Sequence, residues 1–187
     1  MKPRIITLNN TEKIIIRHVT RSDINGIWKN FNQVIEEGEY LPVFSPVISD
    51  FEKKGWYNSL KDAHEICIVA EHSELDSPDN IIGQCEVSNL EWEAAAHVGQ
   101  LGIIVKKKYR DSGIGEKLID IALRESKKLN NKQKIILSCF QRNDRAIHLY
   151  RKLGFSTIGI RKKQFFMNKQ YYNEVLMELW IEDYLKI

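Results

Sequence analysis

Residues 101–116 read L-G-I-I-V-K-K-K-Y-R-D-S-G-I-G-E, and no other stretch narrows the fold as much. Five mostly apolar residues suited to a buried strand pass through a basic patch into a short glycine-bearing loop, which opens directly into a long amphipathic segment. The order is strand, anion loop, helix start. The first N–H groups of a helix lack partners inside it, and the helix dipole adds partial positive charge there, so the junction favours an anion. Gly113 and Gly115 have no Cβ, which lets the backbone turn tightly and approach a phosphate, while Arg110 can add a charge-assisted contact. Such a loop suits a pyrophosphate, although two glycines after a strand also make an ordinary turn.

A chain of 187 residues is expected to form one domain, residues 1–187, and to bury about 70 % of its unfolded surface. The formal net charge of +3 is too small for a nucleic-acid binder, and no basic aromatic face accompanies it. Cys67, Cys85 and Cys139 sit in apolar strand-like runs with no C-x-x-C pair and no histidine at ligand spacing. They read as reduced core thiols, with no metal site. The N-terminus lacks the apolar core of a signal peptide, and no run of about 18 apolar residues is available to span a membrane. A cytoplasmic protein without a membrane partner is expected.

Along the chain, residues 13–17 (K-I-I-I-R) predict a first strand, and a helix follows over 23–37 with Thr20 or Ser22 as its cap. Ile24, Ile27, Trp28, Phe31, Val34 and Ile35 share one face of it, as core residues do. The next segment, G-E-Y-L-P-V-F-S-P-V, carries two prolines and large apolar side chains, which suits an ordered loop able to wall an acceptor pocket. A helix over about 50–60 is followed by strands at 65–71 and 81–90, an antiparallel pair, and by a strand at 97–105. After the glycine loop, apolar residues recur at helical spacing up to about Leu129. A strand at 135–140 and a helix from Asn143 come next, ended by Gly154. Two strands, 156–165 and 171–180, finish the chain around the turn M-N-K-Q. No repeat and no linker interrupt this order.

Two motifs stand in it. Arg110, Gly113 and Gly115 form R-x-x-G-x-G, and downstream Asn143, Ala146, Leu149, Tyr150, Gly154 and Phe155 fill every named place of N-x-x-A-x-x-L-Y-x-x-x-G-F. With both present in that order, the chain resembles the GNAT superfamily of acyl-CoA N-acyltransferases, well over about 66–180 and in element type only before that. The resemblance implies an α/β (α+β) fold. Its central sheet is mixed and mostly antiparallel, with flanking helices and a V-shaped splay between two central strands, here 101–105 and 135–140. It further implies acetyl-CoA as acetyl donor, coenzyme A as product, and a primary amine as acceptor in a ternary complex.

Family geometry then assigns candidate residues. Backbone groups of Ile103, Ile104 and Val105 would pair with the pantetheine amides, one N–H polarising the thioester carbonyl. The N–H groups of Asp111, Ser112, Gly113, Ile114, Gly115 and Glu116 would hold the pyrophosphate, beside Arg110. Asn143 would either contact the pantetheine or cap its helix. Tyr150 would be the general acid for the departing thiolate. Since the last two strands often mediate dimers in the family, a homodimer is also compatible with the resemblance.

The proton acceptor is less plain. A lysine-like ammonium with a pKa of about 10.4 resists deprotonation at neutral pH by roughly 4.6 kcal/mol. Ribosomal-protein alanine acetyltransferases have a glutamate five residues before the asparagine, but this chain has Ser138, too weak a base. Glu86, Glu91, Glu93 and His97 remain as candidates, directly or through water. A chain that keeps the cofactor site without a base would instead be a non-catalytic acyl-CoA sensor. Cys139 has no evident activating base and reads as core. Lys106, Lys107 and Lys108 either meet phosphates at the adenosine end of the cofactor or form a solvated run. Tyr40, Phe44, Trp56, Trp92 and the group Tyr171, Tyr172, Asn173 and Glu174 either flank the acceptor cleft or belong to the core.

Overall fold

The computed structural model describes residues 1–8 and 11–186, so positions 9, 10 and 187 of the expected domain lie outside the described residues. The strands are β1 Arg4–Thr7, β2 Lys13–His18, β3 Ile66–His72, β4 Ile81–Asn89, β5 Val98–Val105, β6 Lys134–Phe140, β7 Ser156–Met167 and β8 Gln170–Trp180. The helices are α1 Ile24–Glu36, α2 Asp50–Asp62, α3 Ile114–Asn130, α4 Asp144–Lys152 and α5 Ile181–Leu185. All eight strands form one sheet in the order β1-β2-β3-β4-β5-β6-β8-β7. Only β5 and β6 run parallel, which gives the mixed, mostly antiparallel sheet expected. Two elements escaped the sequence reading. β1 is a four-residue edge strand, too short to show alternation, and α5 is a single short turn following β8.

Helices cover both faces of β3 and β4. Ile66, Ile68 and Ala70 join the core under α3 with Leu118, Ile119 and Ala122, while Cys67 and Val69 turn to the other face and meet Ile27 of α1 and Leu60 of α2. Two-sided burial explains why residues 66–70 of this strand are all apolar instead of alternating. On α1 the predicted stripe is buried at Ile24, Ile27, Val34 and Ile35. Trp28 and Phe31 are only partly covered, and both border a cavity.

The sheet parts in the middle. β5 pairs with β6 only at Val98↔Lys134, Gly99↔Ile135 and Gln100↔Ile136. Beyond that point β5 continues along β4, as far as Gly83↔Val105, and β6 continues along β8, as far as Phe140↔Glu174. The foot of the opening is braced by the buried Lys132, whose Nζ donates to the carbonyls of Ala96 (2.8 Å) and Val98 (2.9 Å). Its closest approach is at Gly99, where a Cβ would lie 2.5 Å from Val87 Cγ1 and 2.9 Å from Ile135 Cδ1. Gly99→Ala is therefore expected to cost about 2 kcal/mol through overpacking. An unchanged midpoint in chemical denaturation would show that the foot yields freely.

Candidate active site

The opening leads into an elongated cavity of about 520 Å³, bounded by the far half of β5, the loop before α3, α4, and Tyr40 and Leu41 after α1. At the loop, Gly113 has φ +83°, a left-handed conformation that favours glycine, and from there α3 begins at Ile114. Gly115 lies so close to α4 that a Cβ there would sit 3.3 Å from Leu149 Cδ2. These two positions explain the glycines of the motif, and Gly113, Gly115 and Glu116, at the start of a 17-residue helix whose first N–H groups lack partners inside it, border the cavity. Ser112 Oγ donates to the carbonyl of Tyr109 at 2.6 Å and so braces the turn.

Arg110 borders the cavity and is also held by protein partners. Its guanidinium donates to both carboxylate oxygens of Glu37 (2.6 and 2.7 Å), and its Nε donates to the carbonyl of Val105 at 2.9 Å. The side chain thus ties the end of α1 to the strand–loop junction. Acidic loop residues are neutralised from α4: Asp111 pairs with Arg145 at 3.3 Å and Glu116 with Lys152 at 2.6 Å. Lys106, Lys107 and Lys108 do not line the cavity; Lys106 is half-buried and bonds Asp79 at 3.3 Å, and Lys107 and Lys108 are exposed.

The register sorts the backbone of β5. Lys106 N–H donates to the carbonyl of Ile82 at 2.8 Å, which makes the even-numbered residues of β5 the ones that bond β4. Ile103 and Val105 therefore turn their backbone groups to the opening, whereas Ile104 turns its own to β4 and borders the cavity only with its side chain. Val105 has its carbonyl taken by Arg110.

Asn143 caps α4, its Oδ1 accepting from the Ala146 N–H at 3.2 Å, and it also borders the cavity. Tyr150, two turns on, is 6 % exposed, and its ring packs against Phe155 with centroids 5.8 Å apart. Its hydroxyl, which has no hydrogen-bond partner among the described residues, borders the cavity, and burial pushes the phenol pKa upward, so it keeps its proton. Cys139 lines the same wall; burial, aided by Glu174, holds its thiol up at about 11, so it stays protonated and inert.

A second cavity, about 300 Å³, lies on the other side of β5 beneath α1 and α2. Gln84, Glu86 and Ser88 alternate along one face of β4 and form its floor, with Gly102 directly across from Glu86. Its walls are aromatic. Trp28 stands edge-on to Phe31 (5.2 Å) and to Trp56 (5.6 Å), and Trp56 Nε1 donates to Glu86 Oε2 at 3.3 Å. Burial, then repulsion from Glu65, raises the Glu86 carboxyl to about 7, against the pull of the Trp56 hydrogen bond. Leu41, Leu101, Gly102, Ile103 and Ile104 border both cavities, so the two meet across β5.

Of the four candidate bases, only Glu86 lines this cavity; Glu91, Glu93 and His97 are exposed beyond the end of β4. Trp56 is a wall and Tyr40 borders the first cavity, while Phe44 and Trp92 lie on the surface and Tyr171, Tyr172, Asn173 and Glu174 border neither cavity. Trp28, Phe31 and Gln84 were not singled out as site residues. The one available signal was polar alternation, Gln84, Glu86 and Ser88, within an otherwise buried strand. Among the described residues no cluster of His, Cys, Asp or Glu could hold a metal ion, and no helix is long and apolar enough to cross a membrane.

Comparison with known proteins agrees with this architecture. Residues 32–155 match the acetyltransferase (GNAT) family, and the chain belongs to that family. Over 83 residues it is 35 % identical to the spermidine N(1)-acetyltransferase of Escherichia coli strain K12, covering 44 % of this chain and 45 % of that protein. Over 110 residues it is 29 % identical to the spermidine N(1)-acetyltransferase of Vibrio cholerae, covering 59 % of this chain and 62 % of the other. The chain thus spans about half the length of the curated relatives it matches. Among solved structures, an N-acetyltransferase from Staphylococcus aureus Mu50 superposes with a TM-score of 0.82 at 20 % identity, over 90 % of this chain and 98 % of that one. A GNAT superfamily phosphinothricin acetyltransferase from Sinorhizobium meliloti, solved in complex with acetyl-CoA, gives 0.79 at 20 % identity, over 89 % and 88 %. At that identity the likeness establishes the fold.

Proposed function

We propose that the chain transfers the acetyl group of acetyl-CoA directly to a primary amine within a ternary complex. The observation that carries this reading is the meeting of two cavities across β5, with Tyr150 bordering one and Glu86 the other. The first fits the donor. Orphan N–H groups at the start of α3 suit a pyrophosphate, Asn143 and the edge left by β6 at Ile103 and the Val105 N–H suit an amide-bearing arm, and Gly115 lies close to α4.

Acetyl-CoA supplies an activated acyl group. Glu86 accepts the proton that the amine must lose before its nitrogen can attack the carbonyl carbon. The N–H of Ile103 polarises the carbonyl oxygen as negative charge grows there. As the carbon–sulfur bond breaks, the Tyr150 hydroxyl gives its proton to sulfur, and the proton that the new amide nitrogen sheds restores the phenol, leaving the N-acetyl amine, coenzyme A and a protonated Glu86 that returns its proton to solvent. A glutamate on β4 supports a proton acceptor despite Ser138, the residue that motivates the alternative of a non-catalytic sensor. Free, largely buried thiols at Cys67, Cys85 and Cys139 fit a reducing, cytoplasmic setting.

Thiol release from acetyl-CoA, followed across a panel of primary amines that includes spermidine, tests the reading. Turnover with at least one amine is the expected result. Tight coenzyme A binding by calorimetry with no turnover on any amine would establish the sensor instead.

A further inference from the structure

Gly102 stands in the interior of β5, where a glycine weakens a strand because it brings no side chain to pack and extra freedom to lose. Neither usual reason for a strand glycine applies to it. Its φ lies outside the left-handed region, and a Cβ at this position would have nothing within 4 Å, so a larger residue fits the fold without strain. Gly99, three residues earlier, has the opposite surroundings. Nor does Gly102 offer its backbone to a ligand. As an even-numbered residue of β5 it pairs its N–H and carbonyl with β4, directly opposite Glu86.

What remains is the space it leaves. Of the five residues that border both cavities, Leu41, Leu101, Gly102, Ile103 and Ile104, only Gly102 has no side chain. Directly opposed residues of an antiparallel pair point to the same face with Cβ atoms about 5 Å apart, so a side chain at 102 would stand beside the Glu86 carboxyl in the second cavity. Its neighbours on that face of β5, Gln100 and Ile104, both carry side chains, which makes the gap one residue wide. The carboxylate beside it is half engaged. Trp56 Nε1 donates to Oε2, whereas Oε1 has no hydrogen-bond partner among the described residues and keeps accessible surface.

We propose that Gly102 is the port between the two cavities: its missing side chain leaves the opening through which the acceptor nitrogen passes Glu86 to reach the thioester. Gly102 is then a specificity-determining position, since the width of the gap limits the bulk an acceptor can carry next to its nitrogen. The inference rests on the acetyl-transfer reading and adds the route by which the acceptor enters.

The experiment uses two probes, coenzyme A and a conjugate in which its sulfur carries the acetamide of n-propylamine, so that one molecule must lie in both cavities at once. Binding to the parent, Gly102→Ala and Gly102→Val is measured by calorimetry. The parent is expected to hold the conjugate at least about tenfold more tightly than coenzyme A. Gly102→Val should bind coenzyme A as the parent does, which also shows that it is folded, but should lose the conjugate's advantage, and Gly102→Ala should keep part of it. Both variants should melt at or above the temperature of the parent, because alanine and valine restrict the unfolded chain and valine suits a strand. With the best amine of the acceptor panel, kcat/KM should fall about tenfold in Gly102→Ala and about 100-fold or more in Gly102→Val. A conjugate with no advantage in the parent, or with its full advantage kept in Gly102→Val, overturns the inference. So does a loss of coenzyme A affinity in Gly102→Val as large as the loss for the conjugate, which would put Gly102 in the donor cavity alone. If no amine is acetylated while the calorimetry follows expectation, the port stands and the acetyl-transfer reading fails by itself. A parent that does not bind coenzyme A overturns both.

Discussion

Tyr150→Phe is expected to lower kcat for acetyl transfer about 100-fold, the scale on which a positioned general acid acts. The substitution removes one oxygen and leaves the ring packed on Phe155, so the KM for acetyl-CoA should change little. Stability offers an internal control. The hydroxyl has no hydrogen-bond partner among the described residues, so its loss orphans nothing, and the variant should melt at or above the temperature of the parent. Burial keeps the phenol protonated throughout the neutral range, hence the loss should be the same at pH 6 and pH 9. An unchanged kcat would remove Tyr150 from the acid role and leave it as a packed aromatic.

Glu86→Gln should lower kcat/KM by about 100-fold or more at pH 8 and should also abolish a feature of the pH profile. A base must be unprotonated to act, and the Glu86 carboxyl stands at about 7, so parent activity should rise with pH through about 7 and level off above it. The variant should lack that limb, and a limb that persists would assign the base elsewhere. Linkage gives the opposite sign for stability. A carboxyl whose folded pKa is raised above its unfolded value stabilises fully below the unfolded pKa of about 4.3, and that contribution is lost as pH rises through about 7. Glu86→Gln should therefore unfold at a higher temperature than the parent at pH 8 and show little difference near pH 4.

Local chemistry made some of this site readable. The left-handed turn at Gly113, the close approach at Gly115 and the cap at Asn143 each depend on a residue and its immediate neighbours, so each leaves a mark in the string of letters. The α1 stripe announced a buried face but could not say that Trp28 and Phe31 stop short of burial, because that depends on where α2 lies. Glu86 was one of four candidates for a related reason. Its proton affinity comes from burial and from Glu65, and its hydrogen bond comes from Trp56, 30 positions away along the chain. For Arg110 the ion pair was not legible, because its partner, Glu37, is 73 positions distant and nothing near the loop hints at it. β1 left no signal because four residues at a sheet edge hold too little alternation to separate from chance.

An unpaired strand edge on a protein surface invites pairing with another copy, and most sheets guard against it. Here two such edges lie inside the molecule, where β5 and β6 part after Gln100↔Ile136. Between them lies the cavity of about 520 Å³ that Tyr40, Leu41 and Tyr150 help to line, a space that would crowd a peptide strand with full side chains. A slender chain bearing amides meets no such obstacle and can complete the hydrogen bonding of the sheet as an extra strand would. Because Gly99 and Lys132 fix the separation at its base, the gap exists before anything fills it, and no free energy goes into prising strands apart on binding.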